Sequence, residues 1–395
     1  MVYMKNKYFS LNRILLLTVG LWPYTKSKFV RLQLGLQYGI LGSFIVFQLT
    51  TFATSKCDVP LVIEIFSVTA FYFNFVLIYL SFSCNMNVVK HLLEHFQHTY
   101  DELRDEYEVA IIEKYWGFSK RFTKGIMLFI IFNVSCFLLI PFVPYMIDIV
   151  LSANKSRPHP SVHIITKYFI DQEKYFYLII LHADVAYCVG ALAMLATGTT
   201  SLAFLQHACG MFKIAGYRME KAITIGIRQM NGTRNATFIY KGIIVAIDMH
   251  RKAIKFVEIY AASFNVTFAL LIFGGILYAS LNLYRTFREM SSGDISEKLL
   301  QPITFVGVYY TYIFIANCAA QQITDHNNSL FVTVYNAEWY LTPLYIQKLI
   351  LFMLQRGTKA LNIKIGGLFV GSLEGFSTLT SATMSYFTFI YYTNH

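Results

Sequence analysis

Seven stretches of this chain run for more than twenty residues without a charge, and that restricts the fold before any motif is read. Arg31 to Lys56 encloses 24 uncharged residues, Glu64 to Lys90 25, Lys124 to Asp148 23, Asp184 to Lys213 28, Glu258 to Arg285 26 and Lys298 to Asp325 26, and 21 follow Glu374. A helix needs about 20 mainly apolar residues to cross about 30 Å of hydrocarbon. None of the seven alternates as a barrel strand would. Composition agrees, with 56% hydrophobic and 14% charged residues, against roughly 45–50% and 25% in a soluble domain. The expectation is an all-α polytopic membrane protein with seven transmembrane helices.

Orientation follows from the basic residues, which accumulate in cytoplasmic loops. With the N-terminus cytoplasmic and the C-terminus extracellular, 25 of the 33 Lys and Arg residues fall inside, six of them in 1–31 where there is no acid. The excess of positive charge is therefore read as membrane orientation rather than as a nucleic-acid surface. This topology leaves Asn154 in an outer loop as the one sequon open to glycosylation, with Asn231, Asn235 and Asn327 inside and Asn133 and Asn265 within spans.

Three segments result: a cytoplasmic arm over 1–31, six spans with cytoplasmic helical extensions over 32–338, and a packing helix with the last span over 339–395. Ile14 to Trp22 follows three basic residues as in a signal peptide, but no small-x-small cleavage site follows it. It reads as an interfacial amphipathic helix turning at Trp22-Pro23. Segments 86–122 and 236–258 have helical spacing and extend neighbouring spans inward, with a break at Asn231-Gly232. Trp339 to Leu354, interrupted by Pro343 and Lys348, is too short to cross, and Gly366 and Gly367 separate it from the last span.

Nucleotide-binding, hydrolase and metalloprotease motifs are missing, so no enzyme, cofactor or metal is expected. The six cysteines, with only Cys57 in an outer loop, read as small buried hydrophobes. His91, His95 and His98 share a helix face, read as a solvated one. Asp184 belongs either to the outer rim or to a polar cavity wall. Aromatic residues are abundant, 35 Phe and 28 Tyr. They gather in the outer halves of the spans: Phe71, Tyr72 and Phe75 in the second, and Phe137, Phe142 and Tyr145 in the third. Tyr177 and Tyr187 follow in the fourth, and Phe305, Tyr309, Tyr310 and Tyr312 in the sixth. Together they suit a pocket for a small apolar ligand. On the residues alone, a metabotropic seven-helix receptor and a transporter both remain open.

Gly366 to Tyr392 (GGLFVGSLEGFSTLTSATMSYFTFIYY) resembles the C-terminal signature of insect odorant receptors, in Gly367-Leu368-Phe369, Ser372-Leu373-Glu374-Gly375-Phe376 and Ser385-Tyr386-Phe387. Phe9 to Tyr24 (FSLNRILLLTVGLWPY) resembles the arm of those from ants and bees, and Trp339-Tyr340 with Gln355-Arg356 fits as well. The resemblance implies a tuning subunit of a ligand-gated, nonselective cation channel in the plasma membrane of olfactory sensory neuron dendrites. It would assemble with a shared co-receptor, as a tetramer, and bind a small volatile odorant or pheromone. The resemblance also implies a pocket among the second, third, fourth and sixth spans, and a pore along the last. Pore and gate candidates are then Glu374, Tyr386, Phe389, Ile390 and Thr393. The family's constriction is aliphatic; the aromatic Phe389 departs from it and fits a subunit of a heteromer. The Tyr391-Tyr392 ending departs from the related gustatory-type channels.

Overall fold

The computed structural model describes residues 8–25, 27–54, 58–142, 174–229, 233–291, 299–357 and 361–394. Its helices are α1 (Ser10–Thr18), α2 (Lys28–Thr54), α3 (Val59–Cys84), α4 (Met86–Glu102), α5 (Glu106–Leu139), α6 (Phe176–Gln229), α7 (Thr233–Ser291), α8 (Leu300–Asn336), α9 (Leu344–Gly357) and α10 (Leu373–Thr393). A two-residue hairpin, β1 (Lys364–Ile365) against β2 (Phe369–Val370), precedes α10.

Among the described residues, six helices are long and apolar enough to cross a bilayer, within α2, α3, α5, α6, α7 and α8. The seventh expected span, α10, has the length at 21 residues. Eight Ser and Thr residues make it more polar than the other six. Most of these hydroxyls donate to the carbonyl one turn back on the same helix, as Thr378 does to Glu374, Thr383 to Leu379 and Thr388 to Met384. A polar sequence thereby satisfies itself without outside partners, which is what hydrocarbon surroundings demand.

Two helices are far longer than a membrane is thick. α6 has 54 residues and α7 59, about 80 and 90 Å at 1.5 Å per residue. The uncharged parts account for only one end of each, so the charged remainder continues as an antiparallel pair. Both stop beside 230–232, where the break at Asn231-Gly232 was expected; those two residues lie outside the described ones. Around this pair packs the larger core, built from α1, α4, the first half of α5, α8 and α9.

The start of α5 is clasped to α6. Asp105 caps α5 by accepting from the Tyr107 amide at 2.9 Å and also pairs with Lys221, and these contacts hold its carboxyl below the usual range. Glu108 takes Arg218 in two parallel bonds of 2.7 Å, the geometry in which a guanidinium and a carboxylate bind most specifically.

Several expectations change here. The N-terminal helix packs one face on the protein: Leu15, Leu16, Val19, Leu21 and Trp22 are buried in the larger core. It ends at Thr18, because Gly20, at φ +70, closes a Schellman motif in which Leu21 N–H donates to Leu16 O and Gly20 N–H to Leu17 O, and the turn expected at Trp22-Pro23 follows, with Thr25 N–H donating to Trp22 O at 3.3 Å. Only glycine takes that backbone without strain. Cys84 is exposed rather than buried. His95 is half-buried, set 5.1 Å from Phe256 and 5.9 Å from His207, while His91 and His98 face outward. α9 is 14 residues and covers α8 with Ile346, Ile350 and Met353.

Candidate functional site

The expected aromatic residues mostly fill one another. Phe71 stacks on Phe305 at 4.0 Å, Phe137 on Tyr187 at 3.9 Å, and Phe44 of α2 meets Tyr72 at 4.3 Å. Phe71, Tyr72, Phe75, Phe137, Tyr187, Phe305 and Tyr309 are buried in this second core, with Tyr310 half-buried against it. Tyr177 does not join them. At 72% exposure it lies on the outer face of α6, its register rotated away from that of Tyr187, ten positions on. Tyr145 lies outside the described residues.

The open space lies beside and beyond this cluster. The larger cavity, about 1210 Å³ of unfilled space with its mouth, runs along α6 from Tyr187 past Met194 and Gly198 to Leu205, and along α8 from Val308 to Ala320. Residues 126–133 of α5, Tyr260 and Phe268 of α7 and the β1–β2 hairpin complete its wall. A second space of about 910 Å³ lies towards α3, α7 and the start of α10, lined by Phe71, Phe75, Tyr278, Tyr309, Phe369 and Leu379 among others. The two share eight residues, Phe75, Met194, Tyr312, Ala316 and Asn317 among them. Of the twelve aromatics expected to surround a ligand, Phe71, Phe75, Tyr187, Tyr309 and Tyr312 line one or both spaces among the described residues.

Both linings are apolar or aromatic apart from a few hydroxyls and amides, and among the described residues neither contains Asp, Glu, Lys, Arg or His. Such a surface recognises shape and apolar area, with orientation set by a few polar groups. Tyr187 donates to Asn133 Oδ1 across the α5–α6 boundary. Asp184, half-buried near the start of α6, lines neither cavity.

Small residues on α6 let rings press close against it. Phe75 lies so close to Gly190 that an added Cβ would sit 2.0 Å from the ring. Glycine there lets Phe75 act as the partition between the two spaces. Sequence reading missed Met194, Gly198 and Asn317, which carry no aromatic or charge signal of their own, and Phe268, which lies in the fifth span, outside the aromatic groups it singled out. Asn133 was seen only as a sequon.

On α10, Glu374, Tyr386, Phe389 and Thr393 face away from the rest of the chain, Tyr386 at 56% and Phe389 at 65% exposure. Ile390 is partly buried against Ile63, Leu281 and Tyr284. These exposed rings form one face of a helix whose opposite face packs on α7 and α8.

Near the C-terminal end of α7, Arg285 is 5% exposed. It donates to Ser67 Oγ of α3 at 2.9 Å and to Gln301 Oε1 of α8 at 3.2 Å, and lies 3.3 Å from Glu64. A buried guanidinium held this way ties three helices together.

Comparison with known proteins agrees with this arrangement. No curated protein matches the sequence significantly. In fold the chain is similar to the insect olfactory receptor OR5 from Machilis hrabei, solved in complex with eugenol, with a TM-score of 0.77 at 16% identity over 98% of both chains. A second structure of the same receptor matches with a TM-score of 0.77 at 16% identity over 97% of both chains. The family model for the 7tm odorant receptor matches residues 58–384. Covering most of the chain, that match places it in the odorant receptor family.

Proposed function

We propose that the chain is the odorant-binding tuning subunit of a heteromeric, ligand-gated, nonselective cation channel. It crosses the membrane seven times with α10 as the last span, its N-terminus in the cytoplasm and its C-terminus outside. The observation that carries the reading is the pair of uncharged cavities between α5, α6, α7 and α8, closed on one side by the start of α10. Phe71, Phe75, Tyr187 and Tyr309 would meet an apolar odorant there. Tyr72, Phe137, Phe305 and Tyr310 would shape the pocket from behind.

Glu374, Tyr386, Phe389, Ile390 and Thr393 would line or support the pore. The ring-bearing exposed face of α10 supports this, since it has no partner within the chain among the described residues. A hydrophobic constriction conducts once it wets. An odorant opens it only through higher affinity for the open arrangement. The apolar face around Tyr340, Leu344, Tyr345 and Phe352, each more than half exposed, would meet neighbouring subunits, the shared co-receptor among them. The ant- and bee-like arm at Phe9–Tyr24 fits a receptor of olfactory neuron dendrites.

The test is whole-cell recording from cells expressing the chain with and without the co-receptor, across an odorant panel and with G-protein signalling blocked. Odorant-evoked cation current that needs both subunits and survives the block is expected. Loss of the current under the block would replace this reading with a metabotropic one. Glycan on Asn154 alone is expected; glycan on Asn231 or Asn235 would overturn the topology.

A further inference from the structure

The first turn of α10 is capped in part by another helix, and that helix lines the cavities. Ser372 is the N-cap, in extended backbone, and its Oγ accepts from the Gly375 amide at 2.9 Å. In a capping box the side chain three residues on would return the favour and accept from the N-cap amide. That position here is Gly375, which has no side chain to offer. A Cβ on it would lie 2.1 Å from the Val370 carbonyl oxygen and 3.4 Å from Asn317 Oδ1. The glycine leaves room for Asn317 of α8, whose Oδ1 accepts from Ser372 N–H at 3.1 Å.

Asn317 is held for this task. Its Nδ2 donates to the Ile313 carbonyl at 2.8 Å, one turn back on α8, which fixes the amide plane. It is 8% exposed, and what surface it has belongs to both cavities. One turn before it Phe314 meets Phe376 of α10 at 5.3 Å, so the two helices are also joined by an apolar contact that has no polar direction. The amide contact differs in kind: it is made or broken within a few tenths of an ångström, because a buried N–H without an acceptor is costly.

We propose that Asn317 is the positioning residue through which ligand in the cavities acts on α10, by holding or releasing the amide of its N-cap. This rests on the ligand-gated reading above. A ligand that shifts α8 at Tyr312 to Ala316 moves the acceptor relative to Ser372, and the first turn of α10 then takes a different footing. Side chains deeper in the cavities would set affinity, whereas Asn317 would set how much current a bound ligand evokes.

The experiment uses the full chain with its co-receptor, and reads the maximal odorant current divided by the current evoked by an agonist of the co-receptor. Lower surface expression reduces both currents and leaves the ratio unchanged. Asn317→Leu, similar in size without donor or acceptor, should change the ratio by at least about fivefold, the effect of one neutral hydrogen bond. Asn317→Asp keeps an acceptor for Ser372 N–H, at a helix N-terminus that favours negative charge, and should bring the ratio back to within about twofold of wild type. If the Leu variant does not reach the surface, Asn317→Ser, too short to reach Ser372, should show the same change. A wild-type ratio in the Leu or Ser variant, or an equal change in the Asp variant, overturns the proposal. No odorant current from the wild-type pair while the co-receptor agonist still works would instead remove the ligand-gated reading itself.

Discussion

Substituting Gly190 by alanine tests whether Phe75 is the partition between the two cavities. The new methyl would lie 2.0 Å from Phe75 Cδ2 and 2.5 Å from its Cγ, whereas carbon atoms in contact sit about 3.5–4.0 Å apart. The ring must therefore retreat by about 1.5 Å. It cannot go towards Phe71, 4.6 Å away, so it moves into open space that ligand would use. Overpacking of this kind costs about 1–3 kcal/mol, offset by up to about 1 kcal/mol from exchanging glycine for alanine inside a helix. The expected net loss is about 1 kcal/mol, read as a lower apparent melting temperature of the purified protein in lipid nanodiscs. Loss of cavity volume should weaken responses to bulky odorants by about tenfold, the equivalent of 1.4 kcal/mol, and leave the smallest ones nearly unchanged. Adding Phe75→Leu should restore both quantities, with a coupling of at least about 1 kcal/mol between the two sites. A higher melting temperature for Gly190→Ala, or an equal shift for small and large odorants, would refute the packing argument.

Arg285→Met should be among the most damaging single substitutions, about 3–5 kcal/mol, because Glu64, Ser67 and Gln301 then lose their shared cation in a buried setting; melting and surface expression report it, and a neutral result would mean the cluster is hydrated. Tyr187→Phe leaves Asn133 without its donor and should cost about 1–3 kcal/mol, most of it recovered by adding Asn133→Leu. Stability should also fall on mild acidification. Burial, reinforced by neighbouring His91, His98 and Lys252, lowers the His95 pKa from 6.5 to about 4. Between those values the unfolded chain binds the proton and the folded one does not, so stability declines as pH drops from 6.5 towards 4. Melting curves from pH 7.5 to 5 should show that decline and His95→Phe should flatten it; an unchanged slope in the variant would assign the effect elsewhere.

The resemblance in Gly366–Tyr392 and the six long apolar helices were both legible in the sequence, because each depends on neighbours along the chain. An uncharged run of more than twenty residues has one stable use in lipid, and a Ser/Thr-rich helix can satisfy its own hydroxyls one turn back. Position in space was less accessible. Most of the aromatic residues singled out share one neighbourhood, yet they fill it rather than surround a void. Rings draw together wherever helices allow, and empty space is left where small residues such as Ala191, Gly198 and Ala316 meet. Tyr177 shows the same limit: proximity in sequence to Tyr187 could not reveal that their faces differ on the helix. Asn317 had no signature at all. Its importance arises from a glycine 58 positions later in the chain, whose missing side chain leaves a helix end to be capped from elsewhere. Sequence determined which segments could enter the membrane, since that is a property of each segment's solvation. Tertiary structure alone decided where the cavities lie and what closes them, since those depend on which side chains from distant helices come within van der Waals reach.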